Sequence, residues 1–326
     1  MIVMIVVTGG AGFIGSAIVW KLNMEGHDDI IIVDNLGTSD KWKNLVPRRY
    51  AGYFHKNQFI EMIRNDTVPF DVTAVIHMGA CSSTTERNAD YLMDNNYRYS
   101  CSVAEWAVKK DIRFIYASSA ATYGDGTLGF SDDDTVTTTL YPINMYGYSK
   151  QLFDLWIFRM GLADRVAGLK FFNVFGPNEY HKSDMRSVVH KSFEQIRDTG
   201  KVRLFKSHRQ DFQDGEQMRD FVYVKDCVDV VWWFLRNNGI NGIFNLGTGR
   251  ARTWKDLVSA VFTAMERERN IEFIDMPESI RDQYQYFTEA NMGKLMSRGC
   301  PVVFRSLEET VSDYVGNYLL SSRPHL

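Results

Sequence analysis

The feature that most constrains this chain is a glycine-rich run close to its start, Thr8-Gly9-Gly10-Ala11-Gly12-Phe13-Ile14-Gly15. It follows an apolar stretch and precedes a segment with helical periodicity. A backbone that turns from strand to helix while closing on a phosphate needs residues without a Cβ, because these permit both the turn and the approach. The free N–H groups and the positive end of the following helix can then hold an anion. Glycine spacing gains its weight from this strand–turn–helix setting. Gly9, Gly12 and Gly15 are therefore the first candidates for contact with a dinucleotide.

The rest of the first half fits that start. Strands are predicted at Ile2–Val7, Ile30–Val33, Val72–His77 and Arg113–Ala117, with helices at Gly12–Met24, Asn57–Asn65 and Tyr91–Lys109 between them. Short runs rich in Val and Ile suit strands buried on both faces, and their alternation with helices predicts an α/β fold with a doubly wound parallel sheet of Rossmann type. A helix is predicted from about Asn144 to Gly161 and a strand at Val166–Phe171. Phe221–Val224 and Ile243–Leu246 are expected to return to the sheet, and Thr253 to cap a helix reaching Arg267. Residues 178–220 are polar and mixed. The expected organisation is a dinucleotide-binding domain over 1–172, with 221–249 returning, and a smaller, discontinuous C-terminal substrate domain made of 173–220 and 250–326.

Two further groups of residues carry chemistry. Tyr146 and Lys150 lie four apart on the predicted helix and so share a face. A phenol, with an ordinary pKa of about 10, becomes a usable general base when nearby positive charge favours phenolate. Lys150 can also hydrogen-bond a nicotinamide ribose. Ser119, at the end of a predicted strand, can hydrogen-bond the sugar hydroxyl being oxidised. Asp34, at the end of the second strand, can accept from adenosine ribose hydroxyls, which favours NAD; Lys41 and Lys56 can supply charge for a 2′-phosphate, which favours NADP. These residues leave the choice open.

Other classes find no support. The 37 Lys and Arg against 40 Asp and Glu give a net charge of -3, no footprint for nucleic acid. Cys81, Cys101, Cys227 and Cys300 are far apart, with no metal-ligand spacing and no disulfide framework, as in a reducing cytoplasm. No stretch suggests a membrane span or a signal peptide.

These motifs resemble the extended short-chain dehydrogenase/reductase family, of the NAD-dependent epimerase/dehydratase type. The likeness covers nearly the whole chain: TGGAGFIG at 8–15, SSAATYG at 118–124, YGYSK at 146–150 and RDFVYVKD at 219–226. Within the family, HMGACSSTTE at 77–86, YLMDNNYRYS at 91–100 and KFFNVFGPNEYHK at 170–182 are similar to the branch that acts on ADP-linked heptose. The resemblance implies a tightly held NADP, with NAD as an alternative, and epimerisation at C6 through a transient 6-keto sugar. It implies Tyr146 and Lys182 as the two bases, assisted by Ser119 and Lys150. It implies Phe13, Ile14, Asp34, Asn35, Lys41 and Lys56 around the adenosine side of the cofactor. Met78, Gly79, Ala80, Cys81, Ser82, Asn95, Lys150, Val174 and Lys182 fall around the remainder. For the substrate it implies Ser119, Asn173, Lys191, Phe205, Arg219 and Tyr284. A cytoplasmic homo-oligomer without metal is also implied.

The sequence departs from the family pattern after Lys182. Ser183-Asp184-Met185-Arg186 stands where a Gly-Ser pair is usual, Lys191 aligns with a histidine beside His190, and 206–217 carries an insertion. Rival readings are a UDP-sugar 4-epimerase, a 4,6-dehydratase, a keto-sugar reductase, or a non-catalytic NADP-binding protein. Ala120 and Ala121 after Ser119 count against the dehydratase, which needs an acid there.

Overall fold

The computed structural model describes residues 3–281 and 284–326. Ile2, at the head of the first expected strand, lies outside them. Twelve strands are referred to below as β1 Val3–Thr8, β2 Ile30–Asp34, β3 Gly52–His55, β4 Asp71–His77, β5 Arg113–Ser119, β6 Val166–Phe171, β7 Asn173–Phe175, β8 Val202–Phe205, β9 Met218–Tyr223, β10 Gly242–Leu246, β11 Ala251–Thr253 and β12 Ile271–Ile274.

Seven strands form one sheet in the order β3-β2-β1-β4-β5-β6-β10, every neighbouring pair parallel. All residues of β2, β6 and β10 are buried, as continuous apolar strands covered on both faces require. Helices Phe13–Met24 and Val224–Arg236 pack on one face. Helices Lys56–Arg64 and Met145–Arg159, and the helical run 89–109, pack on the other. The strand order reverses between β1 and β4, so the turns after these strands lie side by side and leave a crevice at their carboxyl ends.

The doubly wound sheet is the one the sequence predicts. Asn144 caps its helix by accepting from the Gly147 N–H at 2.8 Å, and Thr253 caps the next through a reciprocal box with Asp256. Strands β3, β7, β8, β11 and β12 lie outside the expected ones, and one expected strand pairs elsewhere. β3 was not expected: its Gly-Tyr-Phe-His is too short and mixed to show a period, and it forms at the sheet edge. Phe221–Val224 does not return to the main sheet. β9 pairs instead with β7 and β11 in a separate three-stranded sheet, and Val224 begins a helix. A short buried apolar run looks the same in either sheet. The return is made by helix Val224–Arg236 and β10. Outside the main sheet, β12 also pairs with β8.

Candidate active site

The crevice at the switch point is a cavity of about 450 Å³. Its floor is backbone. Gly9 has φ +67°, and a Cβ there would lie 2.7 Å from the Gly79 nitrogen. At Gly15 a Cβ would meet the Gly9 carbonyl oxygen at 2.0 Å. Gly12 stands at the N-terminal end of helix Phe13–Met24 with no side chain to cap it, which leaves N–H groups for a ligand anion. Phe13, Ile14 and the stretch Met78 to Ser82 line the same cavity.

Asp34, Asn35, Lys41, Lys56 and Asn95 also line the cavity. Asp34 is already engaged. One carboxylate oxygen accepts from the Ala11 N–H at 2.9 Å; the other accepts from the Asn35 N–H at 2.6 Å and from Lys41 Nζ at 2.7 Å. Lys56 Nζ donates to Asn95 Oδ1 at 2.6 Å. Burial, and then the like charge of Lys41, lower the Lys56 pKa.

Tyr146 and Lys150 face the cavity from helix Met145–Arg159. Burial raises the Tyr146 pKa, and a hydrogen bond with Ser119 pulls it partly back. Lys150 Nζ donates to the Ala117 carbonyl at 2.8 Å. Burial lowers its pKa to about 8, with Asp154 acting in the opposite sense. Lys150 therefore keeps most of its charge at neutral pH. Without further positive charge in the cavity Tyr146 is a phenol, so the phenolate expected from the sequence needs the charge of an oxidised nicotinamide.

Lys182 reaches the cavity from the segment Tyr180–Met185, with Nζ 5.3 Å from the centre of the Phe13 ring. Burial lowers its pKa, and Glu179 partly offsets this. Tyr146 and Lys182 thus approach one cavity from elements packed on opposite faces of the sheet. Ser183, in the segment that departs from the family pattern, takes φ +49° and ψ -124°, a conformation that favours glycine. Asp184 is exposed, away from the cavity lining. His190 is buried and held by Arg186 at 2.9 Å and Tyr314 at 3.2 Å.

The remaining expected residues lie outside this cavity. Arg219, 6% exposed, donates to the carbonyls of Met218 and Gln285. Its guanidinium is stacked 5.6 Å from the Trp254 ring and 5.3 Å from the Tyr284 ring. Among the described residues its guanidinium meets carbonyls and aromatic rings and no carboxylate, and its planar fork suits a phosphate. Phe205 meets Tyr284 edge-on at 6.5 Å, and Gln285 donates to the Gly124 carbonyl, which brings this group beside the Ser119 turn. Asn173 is exposed and accepts from Thr288 at 3.4 Å. Lys191 donates to the Asp184 carbonyl. Val174 packs against the core instead of lining the cavity.

Among the cavity residues that sequence reasoning did not single out are Ser39, Tyr91, Tyr99 and His181. His181 adjoins Lys182, a signal that was present. Tyr91 and Tyr99 share a helical run, but a π-helical stretch over Met93–Arg98 breaks the register between them. Behind the site, Asp154 and Lys170 form a fully buried ion pair at 3.1 Å, and Asp154 also accepts from Tyr116 and Ser118 at 2.9 and 2.6 Å. Among the described residues no group of three or more His, Cys, Asp or Glu could hold a metal, and no helix is long and apolar enough to cross a membrane.

A doubly wound sheet whose switch-point cavity ends against a Tyr–Lys pair defines a nucleotide-binding enzyme class with acid–base chemistry. The chain belongs to the NAD dependent epimerase/dehydratase family, which matches residues 5–247. It is 63% identical over 323 residues, 99% of this chain and 100% of the relative, to the ADP-L-glycero-D-manno-heptose-6-epimerase of Nitratidesulfovibrio vulgaris strain Hildenborough. It is 48% identical over 332 residues, with 99% and 100% covered, to the protein of that name from Fusobacterium nucleatum. The crystal structure of the Helicobacter pylori ADP-L-glycero-D-manno-heptose-6-epimerase superposes with a TM-score of 0.81 at 27% identity, covering 96% of this chain and 95% of that one.

Proposed function

We propose that this chain interconverts ADP-D-glycero-D-manno-heptose and ADP-L-glycero-D-manno-heptose at C6, through a 6-keto sugar. The observation that carries the reading is the approach of Tyr146 and Lys182 to one cavity from opposite faces of the sheet. Inverting a carbinol carbon in a sugar that keeps its orientation calls for a proton-transfer group on each side of it. The similarity to the two named relatives supplies the sugar and the nucleotide. A dinucleotide held by the glycine turn and by Lys150 would supply the redox chemistry, taking hydride from C6 and returning it to the opposite face with no net redox change. Tyr146, hydrogen-bonded to Ser119, takes the hydroxyl proton of one epimer, and Lys182 that of the other. Lys150 keeps positive charge near Tyr146. Arg219, set against the Trp254 and Tyr284 rings, holds the diphosphate, with Tyr284, Phe205, Asn173 and Lys191 on the substrate side.

The cofactor in this reading is NADP, with NAD as an alternative. Both Asp34 oxygens already accept hydrogen bonds, one of them from Lys41, which leaves the carboxylate little capacity for ribose hydroxyls. Lys41 and Lys56 place two ammonium groups at this end of the cavity, which suits a 2′-phosphate. The reading also takes the protein to work as a homo-oligomer in the cytoplasm.

The test is incubation of the purified protein with ADP-D-glycero-D-manno-heptose and no added cofactor, followed by NMR. The expected result is a mixture of C6 epimers with no net change in NADPH. Stoichiometric NADPH consumption would identify a keto-sugar reductase instead. Absence of conversion by protein with its dinucleotide bound would sink the assignment of this sugar.

A further inference from the structure

Residues 324–326 lie far in sequence from the cavity, yet they are bonded to the segment that carries Lys182. His325 Nδ1 lies 2.9 Å from Asn44 Oδ1. The Leu326 N–H donates to Asn178 Oδ1 at 3.0 Å. The Tyr180 hydroxyl donates to the Pro324 carbonyl, and the Tyr180 and His325 rings meet edge-on at 5.1 Å. Leu326 is buried in the core, and its carbonyl accepts from Arg48.

The two asparagines are junctions. Asn44, 1% exposed, donates to the Ala11 carbonyl in the glycine turn and to the Asn178 carbonyl, both at 3.0 Å. Asn178 is fully buried at φ +77° and donates to Ser16 Oγ at 2.9 Å. Asn44 and Asn178 therefore tie three things together: the phosphate-binding turn with its helix, the segment Asp40–Leu45 that carries Lys41, and residues 178–182. Lys182 itself has no ion-pair partner among the described residues. Its position over Phe13 is set by the backbone that these bonds hold.

We propose that residues 324–326 are a strap holding the Lys182 segment over the cavity, with His325, Asn44 and Asn178 as positioning residues for the second base. A group whose transfer geometry must be right within a fraction of an ångström depends on such support. The strap rests on the assignment of Lys182 under the proposed function, but its mechanical part can be tested without the sugar.

The experiment compares wild type with His325→Ala, His325→Asn and Tyr180→Phe. An asparagine amide can stand where the imidazole Nδ1 stands, so His325→Asn is the conservative variant. Hydrogen exchange of the amides over 179–186 is followed by mass spectrometry on the dinucleotide-bound protein, alongside kcat, KM and NADP affinity. In His325→Ala and Tyr180→Phe, exchange over 179–186 should rise about fivefold, the loss expected for one hydrogen bond. Epimerisation kcat should fall by at least that factor, with KM and NADP affinity within about twofold. His325→Asn should restore both. Unchanged exchange in His325→Ala overturns the strap whatever the substrate is. Faster exchange with unchanged kcat, in a wild type shown to epimerise, overturns its role in positioning Lys182. If wild type does not epimerise ADP-heptose, the proposed function fails, and the exchange result still decides the strap.

Discussion

The cofactor cavity and the Arg219 group are built in different ways. The cavity floor is backbone, and its shape depends on atoms that are missing at Gly9 and Gly15. The Arg219 group is made of side chains stacked on one another, a guanidinium between Trp254 and Tyr284, with Phe205 against the tyrosine. A backbone cradle has no room for one extra carbon. A stack of side chains can shift to admit atoms but cannot replace a lost charge. The first kind of site suits a ligand that stays, and the second a ligand that must come and go.

Gly15→Ala puts this contrast to its hardest test. The new Cβ would lie 2.0 Å from the Gly9 carbonyl oxygen, so the turn must move. A displacement of this size should weaken nicotinamide dinucleotide binding by about 100-fold or more, read by fluorescence titration; binding within a few-fold of wild type would break the comparison. Arg219→Ala should do the reverse. Losing a charged hydrogen-bonding group of about 1.5–3 kcal/mol should raise KM for an ADP-sugar by about 10- to 100-fold, with dinucleotide affinity unchanged.

A smaller effect concerns His77, which joins the ends of β1 and β4 beneath the cofactor turns. Its ring lies 2.6 Å from the Thr8 hydroxyl and 2.8 Å from Ser100. Burial lowers its pKa from 6.5 to about 3. The unfolded chain therefore binds the proton first, and stability present above pH 6.5 is lost as pH falls towards 3. This one residue should cost about 1.4 kcal/mol per pH unit. Urea unfolding at pH 7, 6 and 5 would show it, and His77→Asn should flatten that slope. The smallest expected change is a gain. Ser183→Gly relieves a side chain from φ +49° and should stabilise the fold by about 1 kcal/mol, seen as a rise in Tm.

The same contrast explains what the sequence made legible. Glycines must sit where the backbone closes on itself, so the turn at residues 8–15 could be read directly, as could Tyr146 and Lys150 from helical spacing. Arg219 and Tyr284 are 65 positions apart, and no periodicity links them; only resemblance brought them together. Phe221 to Val224 was assigned to the wrong sheet because strand pairing is a tertiary property that a short apolar run does not encode. Asn44 gave no signal at all, because its importance lies in partners distant along the chain, Ala11, Asn178 and His325.

The buried pair of Asp154 and Lys170 also bears on how this chain folds. Asp154 lies on helix Met145–Arg159 and Lys170 on β6, and both are fully buried. A partly folded state that seals one of them without the other strands a lone charge in a dry interior, at a cost of several kcal/mol. A state that buries helix and strand together avoids that cost, and one that seals only one of them is disfavoured. The pair thus couples the stability of the central sheet to the placement of the helix that carries Tyr146.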